Sequence, residues 1–353
     1  MKLSTVLSLI VIIVLGCFSL FSNEQKKNSS TELSQNDVSP YLGQWSFDLG
    51  DGKVGWLQVR QEEGYLDGDI MWVAGSVNYG LPYVYVAGDK LYVGRNPRNA
   101  VLTKDAAGQP LLTRSYPTWL ELKSEGDKIS GYYLSPKVDG TGLDSVFISG
   151  RKLPKMGPAP DLTGIKLGKP ITLLRDNNLT GWRLVEDNLK SGWSVTNGVL
   201  TNDPAQIEGQ AHIRYGNLRT EQEFKDFKLK LEVSTPPKSN SGIYLRGMYE
   251  VQVADSYDRP LNSGGSLGAI YTRTAPSVKA EKPAGEWQEL EIILYKRHVT
   301  VILNGKTIID NQPVDGPTGG AIQSDISAPG PIYLQGDHTA ISYRNIVLTP
   351  IEN

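Results

Sequence analysis

The sequence predicts an all-β protein, and three observations lead to this prediction. The 353 residues include 37 glycines and 21 prolines, a composition typical of short strands joined by tight turns. Apolar and polar residues alternate repeatedly along the chain, as they do in strands that bury one face. Helical periodicity is weak throughout, so we expect sandwich or barrel architecture rather than helices packed on a sheet.

The composition argues against several functional classes. The formal net charge is -2 at pH 7, so the chain lacks the basic character of a nucleic-acid-binding protein. A single cysteine excludes internal disulfides, and only three histidines argue against a histidine-rich metal centre. The sequence also lacks a glycine-rich phosphate loop and a dinucleotide fingerprint. We therefore do not expect the protein to oxidise a substrate with a nicotinamide cofactor.

The N-terminal residues 1–22 are predicted to be an export signal. Lys2 precedes an apolar run over 3–15, which has the length of a signal-peptide core and is short for a membrane span. Cys17 closes the tetrapeptide VLGC, which is similar to a lipoprotein processing box with Cys17 as the lipidated residue. A plain cleaved signal and an uncleaved anchor are the alternatives. We expect an exported protein, periplasmic or associated with the outer membrane, that contacts the membrane only through this lipid anchor.

Three further segments are predicted. Residues 23–40 are polar and non-periodic, which indicates a flexible tether. Residues 41–153 contain repeated hairpin patterns and are predicted to form a small antiparallel barrel or sandwich with an accessory role. Proline and glycine mark a linker over 154–168, and residues 169–353 are predicted to form a second β-sandwich.

Aromatic residues in the accessory region have two interpretations. A surface of flat rings can stack on the C–H groups of sugars, whereas a small barrel also needs large side chains in its core. We interpret them as core residues, namely Trp72, Tyr79, Tyr83 and Tyr85.

The alternation in the C-terminal half directs polar side chains to a shared surface. The predicted strands are 228–234, 242–247, 249–254, 289–295, 299–303, 331–335 and 341–348. Alternation sends Glu250 and Gln252 to one face of their strand, and it does the same for Glu232 and Arg246 on other strands. Such groups bind sugar hydroxyls and transfer protons, which indicates a site rather than an ordinary solvated face.

The order of several segments carries a family resemblance. They include TLLRDNNLTGWR, LRTEQEFKDFKLKLEV, NSGIYLRGMYEVQVADS and PIYLQGDHTAISYRNI, which begin at residues 172, 218, 240 and 331. Over residues 172–350 the chain resembles the 3-keto-disaccharide hydrolase family. The resemblance implies a concanavalin A-like jelly roll that acts on 3-keto-glycosides, sugars whose C3 hydroxyl has been oxidised. A separate sugar 3-dehydrogenase is then expected to supply the substrate.

The chemistry that the resemblance implies needs proton-transferring side chains, and the polar face offers them. A ketone at C3 acidifies the proton at C2, so a carboxylate can remove it, and the C1 substituent then leaves by β-elimination. Water adds to the resulting enone and completes a net hydrolysis. The enediolate needs a stabilising neighbour, for which Arg246, Gln252 or a bound divalent cation are the candidates.

The candidate catalytic residues are Glu250, Glu232 and His338. Glu250 is the first candidate for base or acid, Glu232 is its expected partner from a neighbouring strand, and His338 is the candidate acid for the leaving oxygen. The candidate substrate-binding residues are Arg246, Gln252, Asp255, Tyr271, Lys279 and Gln335. Structural alternatives stand beside these roles, including a Glu250–Arg246 ion pair and a turn cap at Asp255.

Other functions compete with this reading. Concanavalin-like sandwiches also serve as non-catalytic, lectin-like carbohydrate-binding modules, and the fold alone does not decide between them. An ordinary two-carboxylate glycosidase would place an acidic signature on one strand, but the strand YEVQVAD carries Gln252 at the central acidic position. An adhesion or scaffold protein would explain export but leaves the clustered Glu and Arg without a role.

Overall fold

Antiparallel strands make up almost all of the regular structure, as predicted. The computed structural model describes residues 36–106, 108–175 and 177–352. One short 3₁₀ turn at Ser39–Tyr41 precedes the first strand, and none of the helical structure in these ranges is long and apolar enough to cross a membrane. The predicted signal, Cys17 and most of the predicted tether lie outside the described residues.

The N-terminal region is one antiparallel sheet of eight strands. They are β1 Gly43–Asp48, β2 Val54–Gln61, β3 Leu66–Trp72, β4 Val84–Ala87, β5 Lys90–Lys104, β6 Pro110–Glu125, β7 Lys128–Pro136 and β8 Leu143–Lys152. Their order in the sheet is β3-β2-β1-β8-β7-β6-β5-β4. The two hairpins expected from the sequence are β2–β3 and β6–β7. Buried side chains of this sheet, including Trp45, Phe47 and Leu120, form a hydrophobic core of their own.

The interpretation of four N-terminal aromatics as core is wrong for the three tyrosines. Tyr79, Tyr83 and Tyr85 are 60%, 41% and 47% exposed. Val84 and Val86 pack toward the core of this sheet, so alternation along β4 turns Tyr85 outward. Trp72 does pack against the core.

The C-terminal region contains the remaining strands. They are β9 Lys166–Leu167, β10 Ile171–Thr172, β11 Trp182–Leu184, β12 Trp193–Thr196, β13 Val199–Asn202, β14 Leu218–Thr220, β15 Phe227–Ser234, β16 Asn240–Leu245, β17 Tyr249–Ala254, β18 Trp287–Tyr295, β19 His298–Leu303, β20 Lys306–Pro313, β21 Tyr333–Leu334 and β22 Ile341–Glu352.

These strands form two sheets with an apolar core between them. One sheet has the path β12-β13-β22-β15-β18-β19-β20, with β9 and β10 also paired to β22. The other has the order β11-β14-β21-β16-β17 and is called here the five-stranded sheet. Alternate residues such as Leu229 and Leu231 of β15 and Val251 of β17 meet in the shared core. Two sheets packed in this way form the predicted β-sandwich.

The N-terminal sheet contributes side chains to the sandwich core. Trp56, Met71 and Val77 are buried in the same cluster as the sandwich residues. The guanidinium of Arg273 lies 4.3 Å from the centre of the Trp56 ring. The described residues from Asp37 onward accordingly form one compact unit.

Candidate active site

The outer face of the five-stranded sheet carries the predicted polar residues. Tyr249, Val251 and Val253 of β17 are fully buried in the core between the sheets. Alternation therefore turns Glu250 and Gln252 to the opposite, outer face, as the sequence predicted. The two side chains lie on the same side of one strand, a two-residue step apart.

Glu250 is the most perturbed carboxyl on this face. Its side chain is 4% exposed, and burial raises the pKa of the carboxyl to about 8. Its backbone N–H donates to Thr318 Oγ1 at 2.9 Å, which ties the strand to a neighbouring loop. Within the described part of the chain Oε1 accepts no hydrogen bond, yet it is not fully enclosed. A buried carboxyl with one uncommitted oxygen and a pKa near neutrality suits proton transfer.

Tyr244 fixes the other carboxyl oxygen. Its hydroxyl lies 2.9 Å from Glu250 Oε2 and 2.8 Å from the carbonyl oxygen of Gly319. The hydroxyl has one proton, so it donates to Oε2 when Glu250 is ionised and can donate to Gly319 when neutral Glu250 donates to it. The hydrogen bond to Tyr244 lowers the pKa of Glu250 and so opposes part of the effect of burial.

A glycine makes room for the carboxyl. Gly242 lies on β16 beside β17, and a Cβ atom built there would come within 2.3 Å of Glu250 Oε1. Any side chain at this position would push the carboxylate out of its place. The glycine of the NSGI segment is thus required by the close approach of Glu250 to the neighbouring strand.

His338 and Asp337 follow β21 and act electrostatically on Glu250. His338 Nδ1 lies 3.0 Å from Asp337 Oδ1, and this hydrogen bond raises the pKa of His338. The charge of His338 lowers the pKa of Glu250, and that of Asp337 raises it. Thr339, the next residue, bonds through Oγ1 to the backbone of Asn240 and holds this loop against β16.

Three other predicted residues lie beside Glu250. The amide of Gln252 donates to Asn240 Oδ1 at 2.7 Å, the backbone N–H of Gln335 donates to the Gly242 carbonyl, and that of Tyr271 donates to the Glu250 carbonyl. The structure therefore brings Gln252, Gln335 and Tyr271 together with Glu250 and the His338 loop.

The predicted pairing of Glu232 with Glu250 is wrong. Glu232 lies on β15, which belongs to the other sheet, and not on a strand next to β17. Its carboxylate accepts hydrogen bonds from Arg344 at 2.5 and 2.9 Å and from Asn345, and the bonds to Arg344 hold its pKa below the usual range. Leu231 and Val233 take the core positions of β15, so Glu232 faces away from the core, on the other side of the sandwich.

Arg246 also lies apart from Glu250. It follows β16 with a φ of 59°, so the strand alternation that would have turned it toward Glu250 ends before it. Its side chain is buried, and the guanidinium donates to the carbonyl oxygens of Ile326 and Ala328. Because the Arg246 guanidinium is bound to these carbonyl oxygens, this geometry does not favour the prediction that Arg246 stabilises an enediolate. Arg246 and Glu250 do not form an ion pair.

Asp255 and Lys279 lie at the end of β17. Asp255 Oδ2 accepts a hydrogen bond from the backbone N–H of Lys238 at 2.8 Å, which ties the loop between β15 and β16 to the end of β17, and it does not orient Arg246. The Lys279 ammonium donates to the carbonyl of Tyr257 at 3.1 Å. Asp255 borders a cavity at the end of β17, and neither residue contacts the Glu250 carboxyl.

Sequence reasoning missed the roles of Tyr244, Tyr333 and Asp337. The rings of Tyr244 and Tyr333 stack with centres 4.2 Å apart, and burial raises the pKa of both hydroxyls well above the usual range. The alternation that selected Gln335 also places Tyr333 on the same face, so this residue could have been found. The contact of Asp337 with His338 depends on a loop conformation and has no such signal.

The N-terminal region supports the loops around Glu250. The backbone N–H of Gly320 donates to the Val73 carbonyl at 2.9 Å, next to the Gly319 carbonyl that contacts Tyr244. The Tyr79 hydroxyl donates to the carbonyl of Thr272 at 2.6 Å, one residue from Tyr271. This region is therefore a wall of the site as well as a separate sheet.

The described residues contain no group of three or more His, Cys, Asp or Glu side chains placed to hold a metal ion. The divalent cation, which is one of the candidates for stabilising the enediolate, stays a prediction.

The C-terminal region is similar to proteins of a known family. Residues 169–349 match the model of a family described as the 3-keto-alpha-glucoside-1,2-lyase-like domain. No curated protein matches the chain. A crystal structure of a candidate glycosyl hydrolase from Parabacteroides distasonis ATCC 8503 is 31% identical, with 55% of this chain and 93% of that chain covered and a TM-score of 0.42. Another from the same organism is 25% identical, with 52% and 100% covered and a TM-score of 0.39.

The family match spans half of the chain, from β10 at one edge of the sandwich to the last strand, and it includes Glu250, Gln252, Gln335 and His338. The resemblance seen in the ordered sequence segments is thereby confirmed. The chain belongs to the 3-keto-alpha-glucoside-1,2-lyase-like family and is a carbohydrate-active protein of the hydrolase type.

Proposed function

We propose that this protein cleaves 3-keto-glycosides by removing the C2 proton and eliminating the C1 substituent. The observation that carries the proposal is the Glu250 carboxyl, buried on the outer face of the five-stranded sheet with a pKa raised to about 8. A base for a proton next to a ketone works best when its pKa lies near the working pH. Family membership supports 3-keto-glycosides as the substrate class.

In the proposed reaction Glu250 Oε1 takes the C2 proton. The electron pair of the C2–H bond moves toward the ketone, which gives an enediolate that needs a hydrogen-bond donor. Gln252 already donates to Asn240 and Ser241, so the Tyr333 hydroxyl is the candidate donor on this face. The C1–O bond then breaks as the C1=C2 bond forms, and His338 gives a proton to the leaving oxygen. Asp337 favours the charged form of His338 in this step, because its hydrogen bond raises the pKa of the imidazole.

Addition of water completes the proposed reaction. The hydroxyl adds to C1 and a proton returns to C2, so the products are a 3-keto sugar and the free leaving group. The ketone must already be present, because no step of this sequence oxidises C3. A separate sugar 3-dehydrogenase is the class of enzyme that would supply it. Export and a lipid anchor at Cys17 complete the proposal for where the reaction occurs.

The test compares chromogenic 3-keto-glucosides of both anomers with the matching plain glucosides, for the wild type and Glu250→Gln, with and without a chelator. We expect release from a keto substrate alone, lost in the variant. Release from the plain glucosides would indicate an ordinary glycosidase instead. Sugar binding without release from any substrate would favour the lectin-like alternative.

A further inference from the structure

A cavity of about 1170 Å³ lies where the N-terminal sheet, the predicted linker and the sandwich meet. Strands β1, β6, β7 and β8 line one side, and loops of the sandwich line the other. Two hydrogen bonds join these sides: Ser46 Oγ donates to the Ser324 carbonyl at 3.0 Å, and Arg297 donates to the Pro154 carbonyl at 2.9 Å. The volume is large enough for a small organic molecule.

The lining of this cavity is strongly basic, although the whole chain has a net charge of -2. Nine lysine and arginine side chains line it, against four aspartate and glutamate side chains. Three of these carboxylates already accept hydrogen bonds from backbone N–H groups; they are Asp48, Asp226 and Asp325. Within the described ranges, Lys123 is the one cation of the nine that forms a salt bridge, and its partner Asp89 is not part of the lining. Most of the positive charge therefore has no carboxylate at contact distance.

Two of the cations are directly opposite each other in the β7–β8 hairpin. Lys128 and Arg151 form a cross-strand pair, and both side chains are exposed. Like charges at directly opposite positions destabilise a sheet, and Glu125, opposite Lys128 on β6, is the one acidic neighbour of this pair in the register. Ser130 and Ser149 are opposite each other two residues along the same face and add hydroxyl donors. An oxyanion bound here would accept hydrogen bonds from these groups and remove the repulsion.

The other side of the cavity contains two arginines that bind only carbonyl oxygens. Arg246 is 2% exposed and donates to the carbonyls of Ile326 and Ala328. Arg297 donates to the carbonyls of Pro154 and Asp315. Among the described residues, Nε of both arginines is buried without a hydrogen-bond partner. Carbonyl oxygens do not neutralise a cation, so an anion in the cavity would lower the cost of burying these charges.

We propose that this cavity binds a small molecule that carries several phosphate or other oxyanion groups. Guanidinium groups donate paired hydrogen bonds to the oxygens of such groups, and ammonium groups add charge. The cations come from both the N-terminal sheet and the sandwich and so surround the volume instead of lying in one plane, which favours a small molecule over a membrane surface. Glu250 does not line the cavity, so the site is separate from the proposed active site.

The test uses Lys128→Gln/Arg151→Gln, with Lys104→Gln/Arg114→Gln as the matched control. The control residues are exposed on the same sheet, do not line the cavity and remove the same charge. Tripolyphosphate is titrated calorimetrically into the three proteins at low ionic strength. We expect the cavity variant to raise Kd by about tenfold or more and the control to leave it unchanged. Equal weakening in both variants, or no binding to the wild type, would overturn the proposal.

Thermal unfolding gives a second readout that does not depend on the heat of binding. Tripolyphosphate should raise the Tm of the wild type and of the control, and this rise should be absent in the cavity variant. Without the anion, the cavity variant should be at least as stable as the wild type, because the repulsion between Lys128 and Arg151 is gone. A Tm rise of equal size in all three proteins would contradict the assignment of the site.

Vesicles distinguish a soluble anion from a lipid headgroup. The three proteins are sedimented with phosphatidylcholine vesicles that contain or lack phosphatidylglycerol. We expect tripolyphosphate to bind and the wild type to stay in the supernatant with both kinds of vesicle. Sedimentation that requires phosphatidylglycerol and is lost in the cavity variant, without binding of tripolyphosphate, would indicate a membrane surface and reject the small molecule.

Discussion

At the scale of single residues, burial decides what Glu250 can do. Water is excluded from its carboxyl, so the neutral form is favoured. Two groups stabilise the ionised carboxylate against this effect: the Tyr244 hydroxyl through a hydrogen bond and His338 through its charge. The same side chain on the surface would be ionised at neutral pH and a weak base. Burial therefore raises the pKa of Glu250 into the range in which a carboxylate can remove a proton next to a ketone.

The raised pKa of Glu250 makes the stability of the protein depend on pH. Since the folded-state pKa of about 8 exceeds the unfolded value near 4.5, the wild type loses stability as pH rises through this interval, by up to about 5 kcal/mol. Glu250→Gln removes the ionisation, so its stability relative to the wild type should rise between about pH 5 and pH 9. Urea unfolding at both pH values measures this, and a constant difference would contradict the buried-carboxyl account.

Tyr244 should set the position of the pH profile. One limb of the pH dependence of kcat/KM reports the pKa of Glu250. Because the Tyr244 hydroxyl lowers that pKa, Tyr244→Phe should move the limb to higher pH, whereas Tyr333→Phe should leave it in place. The outcome that would count against the account is an equal shift in both variants.

The residues that could be predicted are those governed by alternation. Glu250 and Gln252 follow from strand periodicity in YEVQVAD, because every second residue of β17, beginning with Tyr249, lies in the core between the sheets. Arg246 could not be placed, because its φ of 59° ends the alternation at a turn whose conformation the pattern does not encode. His338 was selected from its segment, but its partner Asp337 was not.

At the scale of elements, the pairing of β16 with β17 positions the carboxyl. Gly242 is opposite Gln252 in the register, and the Glu250 side chain leans over it from the next strand. The membership of β15 in the other sheet could not be predicted, since strand order depends on long-range pairing and not on local pattern. That is why Glu232 was wrongly paired with Glu250.

Gly242→Ala tests the importance of this close approach. The added Cβ would overlap Glu250 Oε1, so the carboxyl must move by about 1 Å, and kcat/KM should fall by about 10²-fold. Gly164→Ala is the control, because a Cβ there meets nothing within 4 Å. Circular dichroism and kcat/KM are measured for both variants. Wild-type activity in Gly242→Ala would contradict the placement of Glu250.

At the scale of the whole molecule, the N-terminal sheet packs against the loops that surround Glu250. Trp56 is 1% exposed and packs against Arg273. The Trp56 ring also contacts the backbone of Gly316 so closely that a Cβ atom there would lie 2.3 Å from the ring. Gly316 belongs to the loop that continues to Gly319, whose carbonyl oxygen contacts the Tyr244 hydroxyl. The sequence predicted an accessory region but not this shared core. Contacts between residues so far apart in the chain leave no periodic signal.

Trp56→Ala should therefore lower both stability and activity. We expect a loss of about 3–5 kcal/mol in the free energy of unfolding and a lower kcat/KM, because the loop around Gly319 loses its support. Trp45→Ala removes a fully buried tryptophan from the other core and should destabilise similarly without changing kcat/KM while the protein is folded. Equal effects of both variants on kcat/KM would show that the N-terminal region has no specific role in the site.

The central claim, that Glu250 removes the proton from C2, is tested most directly by a substrate deuterated at C2. The wild type and Glu250→Gln are each given the 3-keto-glycoside, and the label at C2 is measured by mass spectrometry in the keto sugar that the wild type releases and in the unreacted substrate of both, against an enzyme-free control. The account predicts that the wild type exchanges the deuterium with solvent during turnover and that Glu250→Gln does not. Product released by the wild type with its deuterium retained would contradict the elimination route.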